Sequence, residues 1–175
     1  AFENCPSLLE IDTPNVITAI IIPDSVVYVG GSAFAHCCAL TNISLPDSIA
    51  RIGTRTFYCC DALTSIRLPN KLTALSSKLF AFCGALTSVY IPESVVTIGN
   101  EVFQGCGSLT NIIIPNGVVH IGSHTFMECY KLNMLRLPDS ITSVGKELCA
   151  SCTSMTSIVP LHIINDKNNT VNNVL

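Results

Sequence analysis

Apolar residues recur along this chain with a fixed period of 23 residues. The period is clearest in a column of prolines, and a column of phenylalanines keeps the same step without any slip of register. The prolines are Pro23, Pro46, Pro69, Pro92, Pro115 and Pro138. The phenylalanines are Phe34, Phe57, Phe80, Phe103 and Phe126. An internal period of this length is typical of stacked repeats.

One period has the pattern F-x-x-C-x-x-L-T-x-I-x-L-P-x-x-I-x-x-I-G-x-x-x. Its apolar residues alternate with other residues just before the proline, which predicts a short strand with one buried face. Proline lacks an N–H, so it ends the strand and turns the chain off the sheet. Because a unit this short cannot bury its own apolar stripe, stacked copies must bury it together. The sequence therefore predicts a solenoid.

In most copies a glycine follows the I-x-x-I segment that comes after the proline. Ser76 takes its place in one copy. We interpret this glycine as a backbone position with positive φ. The next residue is a Thr, Ser or Asn in four copies, and such side chains cap helices. We therefore expect a short helical turn between the glycine and the phenylalanine. The glycines are Gly30, Gly53, Gly99, Gly122 and Gly145, and the capping candidates are Thr54, Ser77, Asn100 and Ser123.

Both ends of the chain depart from the pattern. Pro14 is followed by the next repeat proline, Pro23, after only nine residues, and Pro160 arrives one residue early. We predict a solenoid over residues 1–164, with about seven repeats of which the first and last are irregular, and a disordered Asn-rich tail over 165–175. Since neither end shows a polar cap, we expect a piece of a longer array that can self-associate through its ends.

The repeat, intact from Phe34 to Gly145, resembles the BspA-like, or Treponema pallidum type, leucine-rich repeat. The resemblance covers nearly the whole chain apart from the tail. It implies a right-handed solenoid with a parallel β-sheet on the concave face and short helical turns and short extended segments on the convex side. It also implies a cell-surface or extracellular role in adhesion, as in many members, although others lack an export signal. The family carries no catalytic residues, so the resemblance implies no enzyme.

Charge narrows the class of partner. Charged residues make up 12% of the chain, its net charge is −3 and its pI is about 5.7. We find no cluster of Lys and Arg, so nucleic acid is excluded as a main partner. The chain as written begins without the features of a signal peptide, and its aliphatic runs are too short to span a bilayer. We expect no membrane insertion in this segment.

Seven of the ten cysteines share one column of the repeat. In that column we expect buried, reduced thiols that pack as small apolar groups. Because a column runs along the solenoid, its thiols do not converge on one point as zinc ligands do. The seven are Cys5, Cys37, Cys60, Cys83, Cys106, Cys129 and Cys152.

Three cysteines lie outside this column. Cys149 stands in the phenylalanine column, so we interpret the C-x-x-C that it begins as a packing replacement and not a redox pair, which usually has a βαβ context. Cys38 and Cys59 flank the cysteine column in adjacent repeats, and whether they are bridged stays open here.

Other candidate chemistry is sparse. His120 and His124 have the spacing of helical metal ligands, but their columns elsewhere hold ordinary surface residues, so we predict no metal site. No catalytic triad, carboxylate pair or phosphate loop can be assembled, so we predict no cofactor and no enzyme activity. Asn42 and Asn168 begin N-x-[ST] sequons, and we expect only the second to be used if a eukaryotic cell exports the chain.

The outward-facing columns of the predicted strand differ most between repeats. Variable positions on a fixed scaffold can hold a partner, and Arg and Tyr are common interface anchors. We predict a partner site at Arg67, Tyr90, Ile113, Met134 and Arg136; the alternative is a merely solvated face.

The leading hypothesis for the function is a non-catalytic interaction or adhesion module of a larger surface protein. It would bind a protein or glycan through the concave face or edge. The alternatives are a cytoplasmic scaffold and a structural spacer.

Overall fold

The structure is a computed structural model that describes residues 18–159, which form a stack of coils. Each strand pair is parallel and joins residues 23 positions apart, as Ala19 with Asn42 and Tyr28 with Arg51. The sequence period is therefore the length of one coil. The irregular first repeat, Cys5, Asn168 and the predicted tail lie outside the described residues.

The strands form two rows along the stack, and within each row they pair in parallel in short sheets. The long strands pair in three two-stranded sheets, and the two-residue strands in one two-stranded and one four-stranded sheet. We call the two rows the long-strand sheet and the short-strand sheet. The long strands are β1 (Ala19–Ile21), β3 (Asn42–Ser44), β5 (Ser65–Arg67), β7 (Ser88–Tyr90), β10 (Met134–Arg136) and β12 (Ser157–Val159). The two-residue strands are β2 (Tyr28–Val29), β4 (Arg51–Ile52), β6 (Ala74–Leu75), β8 (Thr97–Ile98), β9 (His120–Ile121) and β11 (Ser143–Val144). Between β7 and β10, Ile113 forms a single parallel bridge to Arg136.

The long strands alternate as the sequence predicts. In β3, β5 and β10 the central residue is buried and both flanking side chains are exposed. The proline follows shortly after each strand, where its missing N–H leaves no gap in the sheet. The outward columns identified from the sequence therefore form the exposed surface of the long-strand sheet.

The phenylalanine column is the centre of the core. From Phe34 to Phe126, successive rings stack with centroids 5.4–5.7 Å apart and planes within 12° of parallel. The spacing is that of offset aromatic stacking. Phe57, Phe80 and Phe103 are fully buried, so the stack runs through the interior without interruption.

The turns between the short strand and the phenylalanine do not become helices. They contain single i to i+3 hydrogen bonds, such as Tyr58 N to Arg55 O at 3.1 Å, and no helix forms within residues 18–159. Two residues per coil have a left-handed φ, and a right-handed helix cannot continue through such a residue. The first column, at 52–59°, is Ser32, Arg55, Lys78, Glu101, His124 and Glu147. The second, at 56–71°, is His36, Cys59, Phe82, Gly105, Glu128 and Ser151.

The repeat glycine is required by a close approach between coils, and the expectation of positive φ there is wrong. Among the described glycines, only Gly105 has a positive φ, and it belongs to a different column. A Cβ on Gly122 would lie 2.6 Å from the backbone N of Asn100, and one on Gly99 would lie 2.8 Å from that of Ser77. A side chain at this position therefore collides with the preceding coil.

The predicted capping residues also act between coils. Asn100 Oδ1 accepts a hydrogen bond from the N–H of Ser123 at 2.9 Å, and Ser123 Oγ accepts one from the N–H of Lys146 at 3.1 Å. These side chains bind the backbone of the next coil instead of capping a helix in their own.

Candidate functional site

The five residues predicted as a partner site lie on one side of the long-strand sheet. We call Arg67, Tyr90, Ile113, Met134 and Arg136 the face patch. Arg67 is the register partner of Tyr90, and Ile113 that of Arg136. Met134 lies on the same strand as Arg136 and also points outward. The structure thus brings all five into neighbouring positions on an exposed surface.

The apolar members of the face patch are strongly exposed. Ile113 is 78% exposed, and Tyr90 and Met134 are each 50% exposed. Ile66 and Ile112 on the other side of the same sheet are buried at 5% and 6%. Large apolar side chains grouped on a rigid surface are typical of contact sites.

Two shallow cavities meet on this surface. The first, of about 570 Å³, is lined by Arg67, Tyr90, Glu93 and Ile113 together with small polar residues. The second, of about 490 Å³, extends from Ile113 to Met134 and Arg136. The small polar residues of the first are Ser65, Ser88 and Asn111.

Arg67 is held in place from two directions. Its Nη1 lies 3.3 Å from Oδ1 of Asp47, and its guanidinium carbon lies 5.5 Å from the centre of the Tyr90 ring. The N–H of Asn70 donates to the same Asp47 carboxylate at 2.9 Å, and this bond, aided by Arg67, lowers the pKa of Asp47. An exposed ion pair adds little stability. The two contacts place the guanidinium between a carboxylate and an aromatic ring.

The cysteine column is buried and unbridged throughout the described coils, as predicted. Sequence reasoning missed that five of the six described thiols in this column, from Cys60 to Cys152, are also hydrogen-bond donors. Cys83 Sγ donates to Phe57 O at 3.0 Å, and Cys106 Sγ donates to Phe80 O at 3.2 Å. The cysteine and phenylalanine columns are three residues apart, so this bond recurs from coil to coil. Burial raises the pKa of Cys37 to about 11, which keeps its thiol protonated.

Cys149 is fully buried in the place of the phenylalanine. A hydrogen bond with the thiol of Cys152, together with burial, raises the pKa of Cys149. A protonated, enclosed thiol is a poor nucleophile. This environment favours the interpretation of Cys149 as a packing residue.

The two histidines have separate partners. His124 Nε2 lies 3.1 Å from Glu147 Oε2, and His120 Nδ1 lies 2.6 Å from Ser143 Oγ. Residues 18–159 contain no group of three His, Cys, Asp or Glu side chains that could hold a metal ion. Over the same range, no helix has the length and apolar character needed to cross a membrane.

Several solved structures share this fold. A leucine-rich repeat protein from Eubacterium ventriosum is 23% identical and has a TM-score of 0.65, with 87% of this chain and 47% of that one covered. The T. pallidum leucine rich repeat protein is 21% identical with a TM-score of 0.58, covering 81% and 58%. The pneumococcal vaccine antigen PcpA is 19% identical with a TM-score of 0.55, covering 80% and 50%. The chain therefore spans about half the length of these proteins.

The sequence comparisons agree with the fold. The profile of the BspA type leucine rich repeat region matches residues 1–106 and 73–172, with six copies. No match was found among the curated proteins. The two matched ranges together include almost the whole chain, so this protein belongs to the BspA type leucine-rich repeat family.

Proposed function

We propose that this chain is a non-catalytic interaction or adhesion module of a larger surface protein, and that it binds a protein or glycan through the face patch. Family membership supports an interaction module in general. The observation that carries the specific proposal is the grouping of exposed Tyr90, Ile113 and Met134 with Arg67, which is paired with Asp47.

The backbone of the long-strand sheet is already hydrogen-bonded between coils, as for Ile22 N to Ser44 O and Leu68 N to Tyr90 O. A partner on this face must therefore be recognised by side chains. Adjacent strands lie about 4.8 Å apart, so the patch, which crosses four coils, extends for roughly 15 Å. That length suits a short stretch of a linear ligand, such as an extended peptide or a few sugar units.

The surface location is supported by the description of one protein of the same fold. PcpA, which has the same fold, is described as a pneumococcal vaccine antigen. Antibody labelling of intact, unpermeabilised cells that produce the full-length protein tests this part. Labelling is expected on the outside, whereas protein found only after permeabilisation would favour the cytoplasmic scaffold.

Binding to immobilised matrix proteins and glycans tests the face itself. We expect Arg67→Glu combined with Tyr90→Ala to weaken binding at least tenfold, since it removes a charged anchor and an aromatic ring, which are typical hot spots. The chain offers a matched control on the other sheet, where Arg51 lies over the Tyr28 ring at 5.4 Å. Arg51→Glu with Tyr28→Ala should leave binding unchanged. An equal loss of binding affinity in both double variants, or no loss in either, would contradict the proposal. If no immobilised protein or glycan binds the chain at all, the structural spacer is favoured.

A further inference from the structure

We propose that Cys38 and Cys59 form a thiol pair that can be oxidised to a disulfide linking two adjacent coils. This inference is independent of the face patch. It concerns the turn side of the solenoid, where two of the three cysteines outside the cysteine column contact each other.

The contact is direct. Cys38 Sγ lies 3.5 Å from the carbonyl oxygen of Cys59, although the two residues are 21 positions apart in the chain. In the described coils, the repeat position of Cys38 holds no other cysteine, and neither does that of Cys59. The two cysteines that depart from the repeat pattern here are therefore neighbours in space. The column of Cys38 continues as Asp61, Gly84, Gly107, Tyr130 and Thr153. The column of Cys59 contains His36, Phe82, Gly105, Glu128 and Ser151.

The relative placement of Cys38 and Cys59 suits a disulfide better than the placement of two neighbouring members of the cysteine column does. Members of one column have parallel Cα–Cβ directions, which a disulfide does not accommodate. Cys38 and Cys59 are offset by two positions across the coil boundary, and Cys59 has a left-handed φ of 56°. They are therefore not held in the parallel arrangement of residues that share one column. The same position holds a glycine at Gly105, so the chain keeps a thiol where the backbone favours glycine.

Accessibility separates these two thiols from the others. Cys38 and Cys59 are partly exposed, whereas every other described cysteine is buried. Cys37 and Cys60, which are next to them in the chain, belong to the buried cysteine column. Cys60 Sγ donates to Phe34 O at 3.1 Å. A disulfide between chain neighbours, either Cys37 with Cys38 or Cys59 with Cys60, would pull a thiol of the cysteine column out of the core. A disulfide between Cys38 and Cys59 leaves the buried cysteine column unchanged.

The oxidant that we name is a small disulfide such as oxidised glutathione. One thiolate attacks it, forms a mixed disulfide and releases one reduced glutathione. The second thiolate then displaces the other glutathione and closes the protein disulfide, so two protein thiols are oxidised and two glutathione thiols are formed. Burial and the nearby Asp61 carboxylate raise the pKa of both thiols, and Cys60 and Tyr58 also lie close by. Asp61→Asn should therefore speed the reaction.

Mass spectrometry of the full chain after treatment with oxidised glutathione tests the inference. The intact mass should fall by two hydrogen atoms, and a non-reducing tryptic digest should join residues 1–51 to residues 56–67. Cys38→Ser and Cys59→Ser should each abolish the linked peptide, whereas Cys149→Ala should retain it. Both serine variants change partly exposed residues, so they should fold, and thermal melting is the check on this.

Three outcomes would overturn the inference. The first is a glutathione adduct that never resolves into the protein disulfide. The second is a linked peptide that persists in Cys38→Ser, because it would point to Cys5 or Cys37. The third is a bridge within residues 56–67, between Cys59 and Cys60. If the inference holds, the oxidised chain melts at a higher temperature than the reduced chain, since the bridge restricts the unfolded state. That difference disappears in either serine variant.

Discussion

At the scale of single residues, the cysteine column combines two roles in one small side chain. From Cys60 to Cys152, each thiol of this column fills core volume next to the phenylalanine stack and donates to a carbonyl oxygen of the preceding coil. Because an S–H group is a weak donor with low polarity, it can be buried at little cost. The repeat therefore gains a side-chain hydrogen bond between coils without placing a strongly polar group in the core.

Substitution of Cys106 separates these roles. Cys106→Ala should lower the free energy of unfolding by about 1–2 kcal/mol, through lost volume and a lost hydrogen bond. Cys106→Ser keeps a donor aimed at Phe80 O and should cost no more than the alanine variant. Urea unfolding measures both. A serine variant clearly less stable than the alanine variant would mean that the thiol acts only as an apolar group.

The left-handed columns give a second residue-scale prediction. Ser151 is exposed and has a φ of 62°. Ser151→Gly should stabilise the chain by about 0.5–1 kcal/mol, because glycine adopts this conformation without strain. Ser151→Ala keeps a Cβ and serves as the control, with no gain expected. Thermal melting compares the two, and an equal or larger gain for alanine would argue against strain at this position.

The outward columns could be predicted from the sequence because their signal is local. A two-residue alternation ending in proline determines which side chains of Ser65–Arg67 point outward, and the 23-residue period determines which coils are neighbours. Asp47 was missed as the anchor of Arg67. Its contact is made between coils, by side chains whose positions no repeat pattern specifies.

At the scale of the element, the turn segment is where sequence reasoning failed. Glycine suggested positive φ at Gly122, whereas the left-handed residues include Lys78 and Glu101, which give no sign of it in the sequence. Their conformation follows from the stacking, because backbone groups of each turn bond to the next coil, as in Phe80 N to Val102 O at 2.9 Å. Tertiary contacts override local propensity there.

The glycine column predicts a sharp difference between two alanine substitutions. Gly122→Ala should destabilise the fold by about 1–3 kcal/mol, since its Cβ would overlap the backbone of Asn100. Gly84→Ala is the control, because a Cβ there meets nothing within 4 Å. Denaturant unfolding measures both variants. A Gly122→Ala variant as stable as Gly84→Ala would show that the coils can separate without cost.

At the scale of the whole molecule, each coil contacts mainly the coils before and after it, and all share one register. In such solenoids stability is approximately a sum over coils and their interfaces. The core can therefore stay constant while the outward residues change from coil to coil. This separation lets Arg67, Tyr90 and Ile113 differ without disturbing the phenylalanine stack.

Deletion of one full coil tests this additivity. Removing residues 70–92 joins Pro69 to Glu93 and preserves the 23-residue register. The shortened chain should still unfold cooperatively, at a lower temperature, because one coil and one interface are lost. Removing only residues 70–81 breaks the register and should abolish the cooperative transition. Circular dichroism melting distinguishes the two, and equal behaviour would contradict the stacked-coil account.

The most direct test of the face patch is hydroxyl-radical footprinting of the chain with and without the matrix protein or glycan that it binds. Tyr90 and Met134 are each 50% exposed on the long-strand face, and Tyr130, at 48%, is a matched reporter on the turn side. We predict that bound ligand reduces oxidation of Tyr90 and Met134 and leaves that of Tyr130 unchanged. Protection of Tyr130 with continued oxidation of Tyr90 and Met134 would contradict the assignment of binding to this face.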